Sequence, residues 1–166
     1  MLSASGCAFG QTRAPTESGM RPMPDIGISA GPRVEAAVTL LGSAGLPTED
    51  LARLSLEHFF FAGPAEAPTG LVGLEMLGDV ALLRSLVVAK PLRGSGAGSA
   101  LLDHAERHAR TRGVKVLYLL TTTAERFFAQ RGYVHAPRDS APAAIRATRE
   151  FSALCPSSSA FMSRQL

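Results

Sequence analysis

The run Arg93-Gly94-Ser95-Gly96-Ala97-Gly98 constrains this chain more than any other segment, because of what flanks it. An apolar strand candidate precedes it over residues 80–88, and an amphipathic helix candidate follows over residues 99–112. Glycines at alternate positions admit backbone conformations closed to other residues and leave no side chain in the way of a close ligand. Their N–H groups converge where the helix begins, and the helix dipole favours an anion there. The arrangement predicts a cradle for a pyrophosphate. The spacing lacks the G-x-G-x-x-G rhythm of a dinucleotide fold, and no Gly-Lys-Ser/Thr closes it as in a P-loop.

The elements around the cradle follow from periodicity. Residues 1–23 are rich in Gly, Ser, Ala, Thr and Pro without an apolar period, and read as a flexible tail. Residues 24–166 read as one domain. A short strand is expected at 25–29, then a helix from Pro32 to Ala44 closed by Gly45. Thr48 is the expected N-cap of a second helix carrying Leu51, Leu54 and Leu56. Strands are expected at 58–62, 70–77 and 80–88, the last two joined by a tight Gly78-Asp79 hairpin. After the cradle come a strand at 114–120, a short helix at 123–131 capped by Thr123, and a strand opening at Tyr133. Helical sequence at 142–147, a short turn at 150–154 and a last strand at 160–165 complete the chain. The fold class is α/β of the α+β type: a single mixed, mainly antiparallel sheet flanked by helices.

Composition narrows the function classes. At 166 residues, 46% of them hydrophobic, the chain suits one packed domain rather than disorder. The net charge of +3 is small and the basic residues are scattered, so nucleic acid is not an expected partner. No apolar run reaches transmembrane length, and the N-terminal segment has no apolar signal core. Cys7 and Cys155 make neither a disulfide framework nor a zinc spacing, so a reducing, cytoplasmic compartment is expected.

Arg-x-x-Gly-x-Gly between a strand and a helix resembles the acetyl-CoA-binding motif of the GNAT N-acetyltransferase superfamily. Ala124-Glu-Arg-Phe-Phe-Ala-Gln-Arg-Gly-Tyr133 is similar to the family's late segment, where a short helix ends at glycine and an aromatic opens the next strand. The stretches GLPTEDL, GDVALLRSLVV, YLLTTTAERFF and AIRATREFSALCPSSSAFM resemble the branch encoded in arsenic-resistance operons. The resemblance implies a GNAT-like fold over residues 24–166. It implies acetyl-CoA as co-substrate, no metal, a small-molecule amine acceptor and a monomer or homodimer. Leu86, Val87 and Val88 would offer backbone groups to the pantetheine arm and one N–H to the thioester oxygen. The N–H groups of Arg93, Gly94, Ser95, Gly96, Ala97 and Gly98 would hold the pyrophosphate. The family often carries Tyr near the coenzyme sulfur as the second aromatic of a Phe-Tyr pair. Phe128 stands there in this chain, cannot donate a proton, and packs on the pantetheine arm or fills core.

Amine acetylation also needs a proton acceptor, and Glu75, on the strand before the hairpin, is the catalytic candidate. The alternative is a solvent-facing strand glutamate. Arg84 interrupts an apolar run, where an arginine is costly unless paired. It suits an anionic substrate group, Glu75, or an edge position in water. Arg146 and Arg149 straddle Thr148 and suit a clamp on a carboxylate or arsonate-like oxyanion, or else a solvated helix face. His104 and His108 share a helix side, but Glu106 is out of step for a zinc helix, so they are assigned to solvent. Cys155 suits arsenic ligation, a nucleophile or a structural thiol.

Three functions compete. The first is direct acetyl transfer in a ternary complex to the primary amine of an amino-acid-like or arsenic-containing acceptor. The second is a catalytically weak acyl-CoA sensor or arsenic-responsive interaction protein. The third is another nucleotide-binding protein, resting on the glycine run alone.

Overall fold

A computed structural model describes residues 26–166; the tail expected over 1–23, Cys7 and Asp25 lie outside the described residues. The strands are β1 (Ile28–Ala30), β2 (Phe59–Ala62), β3 (Gly70–Leu77), β4 (Val80–Val88), β5 (Val116–Thr121), β6 (Val134–His135) and β7 (Ala160–Gln165). The helices are α1 (Val34–Ser43), α2 (Ala97–Thr111), α3 (Glu125–Gln130) and α4 (Ala143–Arg146). One sheet holds the seven strands of the described residues in the order β1-β2-β3-β4-β5-β7-β6. Every pairing is antiparallel except β4 with β5, between which α2 crosses over.

Alternation along the strands assigns side chains to two faces. Val72 and Leu74 of β3, with Ala81 and Leu83 of β4, face the buried stripe of α2: Leu101, Leu102, Ala105 and Ala109. Leu71 and Val87 face Ala37, Leu40 and Leu41 of α1 on the opposite side. Leu82, on that second side, packs with Phe161 and with Ile145 of α4. Gly73 is required here, since a Cβ would lie 2.4 Å from the Phe59 ring that crosses it. On the α2 side, buried Glu106 accepts from Tyr133 Oη (3.1 Å) and from Arg164 Nη1 (2.8 and 2.9 Å), tying helix to sheet. No helix among the described residues is long and apolar enough to cross a membrane.

Several local expectations need correction. Pro32 lies outside α1, because Arg33 at the N-cap is extended. The helix expected after Thr48 is two 3-10 turns, Leu51–Arg53 and Leu56–His58; Leu54 between them is extended (ψ 147°). Burial of Leu51 against α1 takes precedence over helical continuity. Helix α2 starts at Ala97, two residues early, because Gly96 serves as its left-handed N-cap. Thr123 does not cap α3; Thr121 Oγ1 accepts from the Ala124 N–H at 3.0 Å instead. His104 and His108 are half-buried against the Phe60 ring (4.6 and 4.9 Å between centroids) rather than solvated.

Candidate active site

Strands β4 and β5 pair only from Val80↔Val116 to Leu83↔Leu119. Beyond that point β4 stays with β3, β5 stays with β7 as far as Thr121↔Ala160, and the two part. A bulge marks the parting. Arg84 and Val87 pair with Gly73 and Leu71, so two residues on β4 stand opposite one on β3. Ser85, inside the bulge, has φ 58°, the one positive value outside glycine among the described residues. Bulges re-aim side chains and accumulate beside functional sites, and a non-glycine residue in this region stores strain. The extra residue also shifts the alternation, which is why Val87 joins Leu71 on the α1 side.

A cavity of about 380 Å³ occupies the opening. Leu83, Leu119 and Phe128 line it from the α2 side; Arg84, Glu150, Cys155 and Ser159 line it with the Gly45–Pro47 turn and Thr121–Ala124. The open edge of β4 leads away from it. Ala89 N–H donates to Thr69 O at 2.8 Å, so alternation turns the amides and carbonyls of Leu86 and Val88 away from β3, toward the gap. Arg93 Nε closes part of that edge by donating to Val88 O (3.1 Å).

The glycine loop follows directly. Gly94 (φ 79°) and Gly96 (φ 91°) are both left-handed, a conformation that needs glycine. Arg93 N–H donates to Lys90 O and Ser95 N–H to Leu92 O, both at 3.3 Å. Those two amides are spent on turns, which corrects the expectation that all six face outward. Gly94 and Gly96 N–H have no hydrogen-bond partner among the described residues, and Gly98 and Ser99 supply free amides of the first turn of α2, whereas the Ala97 N–H donates to Ser95 Oγ at 3.4 Å.

The centre of charge is Arg84. Its Nη1 donates to Asp50 Oδ2 and to Glu75 Oε1, both at 2.6 Å, and its Nη2 to Asp50 Oδ1 at 2.8 Å. Glu150 Oε2 lies 2.9 Å from Nη2 without the alignment of a hydrogen bond. Burial works against the Arg84 charge, but Asp50, Glu150 and Glu75 outweigh it and strengthen its hold on the proton. Burial raises Glu150 above the ordinary carboxylate range, with Arg84 opposing. Cys155 Sγ donates to Glu150 Oε1 at 3.5 Å; burial and the Glu150 charge push its pKa up to about 12. It is a thiol rather than a thiolate near neutral pH.

The expected site residues therefore divide. Arg84 and Glu75 are brought together, but as an internal ion pair. Glu75 faces a separate cavity beside Leu54, Ser55 and His58, away from the opening between β4 and β5. Arg84 has carboxylates on both Nη atoms and no solvent exposure, so it offers no free fork to an outside anion. Arg146 is exposed on α4 and does not line the cavity with Arg84. Phe128 is both core and cavity wall: it is 5% exposed, with the rings of Phe127 and Tyr133 edge-on at 5.2 and 5.5 Å. Asp50, Glu150 and Ser159 were missed. The only sequence signal for them was a lone Arg84 in a strand, which demanded carboxylate partners without naming them. Glu150 opens a π-helical turn, Glu150–Leu154, which follows no 3.6-residue period.

Comparison with known proteins bears on the whole arrangement. The sequence pattern of a family described as Acetyltransferase (GNAT) family matches residues 38–133. An amino-acid acetyltransferase of Ralstonia nicotianae is 44% identical over 68 residues, 41% of this chain and 14% of that protein. N-alpha-acetyltransferase 80 of Mus musculus is 44% identical over 52 residues, 31% of this chain and 17% of that protein. The matches thus span well under two thirds of either curated relative. N-acetylglutamate synthase of Neisseria gonorrhoeae, solved with coenzyme A and N-acetyl-glutamate, superposes with TM-score 0.72 at 22% identity. The superposition covers 85% of this chain and 35% of that one. Rv2747 of Mycobacterium tuberculosis, solved in complex with CoA, superposes with TM-score 0.71 at 20% identity over 84% of this chain and 99% of that one. At such identities the two structures speak for the fold.

Proposed function

Because the chain belongs to the acetyltransferase (GNAT) family, we propose that its site transfers an acetyl group from acetyl-CoA to the primary amine of a small, amino-acid-like acceptor. One observation carries the reading: the gap between β4 and β5 runs from a partly open cavity, along an open strand edge, to a glycine loop with unpaired amides at a helix N-terminus. That sequence of environments matches a long ligand with a reactive end and a polyphosphate end. The residues present fit acetyl-CoA. The main-chain groups of Leu86 and the N–H of Val88 are free to pair with the amides of a pantetheine arm, while Arg93 Nε takes the Val88 carbonyl. The amides of Gly94, Gly96 and Gly98 suit a pyrophosphate, and Lys90 and Arg93 add positive charge beside them.

The chain's contribution is positioning. An extended arm laid on the edge of β4 would place its thioester in the cavity, where a β4 amide near the bulge stabilises the developing oxyanion. Phe128 would pack against the arm and supply no proton. The amino-acid acceptor class draws support from the amino-acid acetyltransferases among the curated relatives. An arsenic-containing amino acid stays within the same proposal, supported by the sequence stretches alone.

Release of free thiol from acetyl-CoA with a panel of amino acids and simple amines tests the reading. Turnover with at least one amino acid is expected. Calorimetric binding of acetyl-CoA without turnover of any amine would move the chain to the sensor reading that Phe128 favours. No binding at all would overturn both.

A further inference from the structure

We propose that Glu150 receives the ammonium group of the acceptor and takes its proton, and that the Ser159 hydroxyl holds the same acceptor. The inference rests on the acetyl-transfer reading above. It starts from two buried polar atoms that find no hydrogen-bond partner among the described residues: Ser159 Oγ, and Glu150 Oε2, which has Arg84 Nη2 at 2.9 Å but not in line. Their residues are 7% and 5% exposed, and both line the cavity where β4 and β5 part. Folded interiors satisfy nearly all such groups, so two orphans in one cavity point to a partner that arrives with a ligand. They come from different elements, the π-helical turn and the residue before β7, and the fold converges them on one space. The other orphans among the described residues, Arg131 Nε and Arg138 Nη1, do not line it.

Charge defines what the orphans would accept. The groups facing Glu150 are Arg84 from β4, Asp50 and Glu75 beyond it, and the Cys155 thiol. One guanidinium therefore meets three carboxylates, and Arg84 is the only cationic side chain lining the cavity among the described residues. The surplus is negative, which suits a primary ammonium. Burial makes Glu150 a stronger base than an exposed carboxylate, with the Arg84 charge opposing that rise.

The step balances. The ammonium gives one proton to Glu150, and the freed lone pair forms a C–N bond at the thioester carbonyl carbon. The C–S bond breaks with its electron pair going to sulfur, and the thiolate takes the second nitrogen proton. Glu150 returns its proton to water. Ammonium and thioester become amide, thiol and one released proton.

Glu150→Gln and Ser159→Ala test the proposal, with acetyl-CoA and the fastest acceptor from the amine panel. Glu150→Gln should lose about 10²–10⁴-fold in kcat/KM for the acceptor and lose the acid limb of the pH profile, as expected for removal of a general base. Its acetyl-CoA affinity by calorimetry should stay at the wild-type value. Ser159→Ala should raise the acceptor KM roughly tenfold with kcat retained, the effect of one hydrogen bond. Wild-type kcat/KM and an unchanged pH profile in Glu150→Gln would overturn the inference while leaving the acetyl-transfer reading standing. Wild-type protein that binds no acetyl-CoA would remove that reading instead. Should Glu150→Gln fail to fold, Ser159→Ala decides, because its hydroxyl makes no bond among the described residues. An unchanged acceptor KM there overturns the proposal.

Discussion

Asp50 holds Arg84 through both carboxylate oxygens, at 2.6 and 2.8 Å, with the arginine side chain wholly shielded from solvent. The two residues are 34 positions apart and lie on opposite sides of a chain reversal through β2 and β3. Removing one partner of a buried pair leaves the other charged and desolvated. Asp50→Ala should therefore lower stability by about 3–5 kcal/mol. Denaturant unfolding checks it; a loss below about 1 kcal/mol would show that Glu75 and Glu150 alone satisfy the guanidinium.

Gly96→Val places a β-branched residue at φ 91°, where it is strained by about 1–3 kcal/mol. The loop is at the surface and packs little, so the fold should survive. Acetyl-CoA binding should weaken roughly 5–150-fold, the same energy read as affinity. A folded variant with wild-type affinity would remove the loop from the coenzyme site.

His108 carries a pH signature. Burial lowers its pKa first, and the charges of His58, Arg112 and His104 lower it further. Its Nε2 is 3.1 Å from His58 Nδ1, and His58 Nε2 is 3.1 Å from Glu57. A depressed folded value means that the unfolded chain binds the proton more readily. The stability contributed by neutral His108 is present above about pH 6.5 and is lost as pH falls through the lowered folded value. Imidazole titration by NMR should place His108 below the ordinary range, and His108→Phe should flatten the loss of stability on the acid side. An ordinary titration midpoint would contradict this.

Arg146→Ala should leave the acceptor KM and the coenzyme affinity unchanged. The side chain is exposed, and the helix that carries it buries Ile145 on the sheet instead. A rise in acceptor KM of about tenfold or more, worth about 1.4 kcal/mol, would mean that α4 moves over the cavity when substrate binds.

The hairpin Leu77↔Val80, the stripe of α2 and the glycine loop were legible in the chain because each is decided within a few residues. A two-residue turn, a 3.6-residue period and a left-handed glycine need no distant partner. The arrangement of charge was not legible. Arg84 announced a need for carboxylates, and Glu75 was within reach of sequence reasoning because it lies across one hairpin. Asp50 enters from the N-cap of a 3-10 turn and Glu150 from a π-helical turn, neither of which leaves a period to read.

The sequence by itself determined most of the order of strands and helices and the left-handed glycines that open the N-terminus of α2, because local backbone preference settles both. Only the tertiary structure decided which carboxylate faces the cavity. That depends on the extra residue at Ser85, on where β4 leaves β5, and on which of three acids Arg84 binds in line. Those outcomes minimise desolvation across segments far apart in the chain, and no window of sequence contains all the groups that compete.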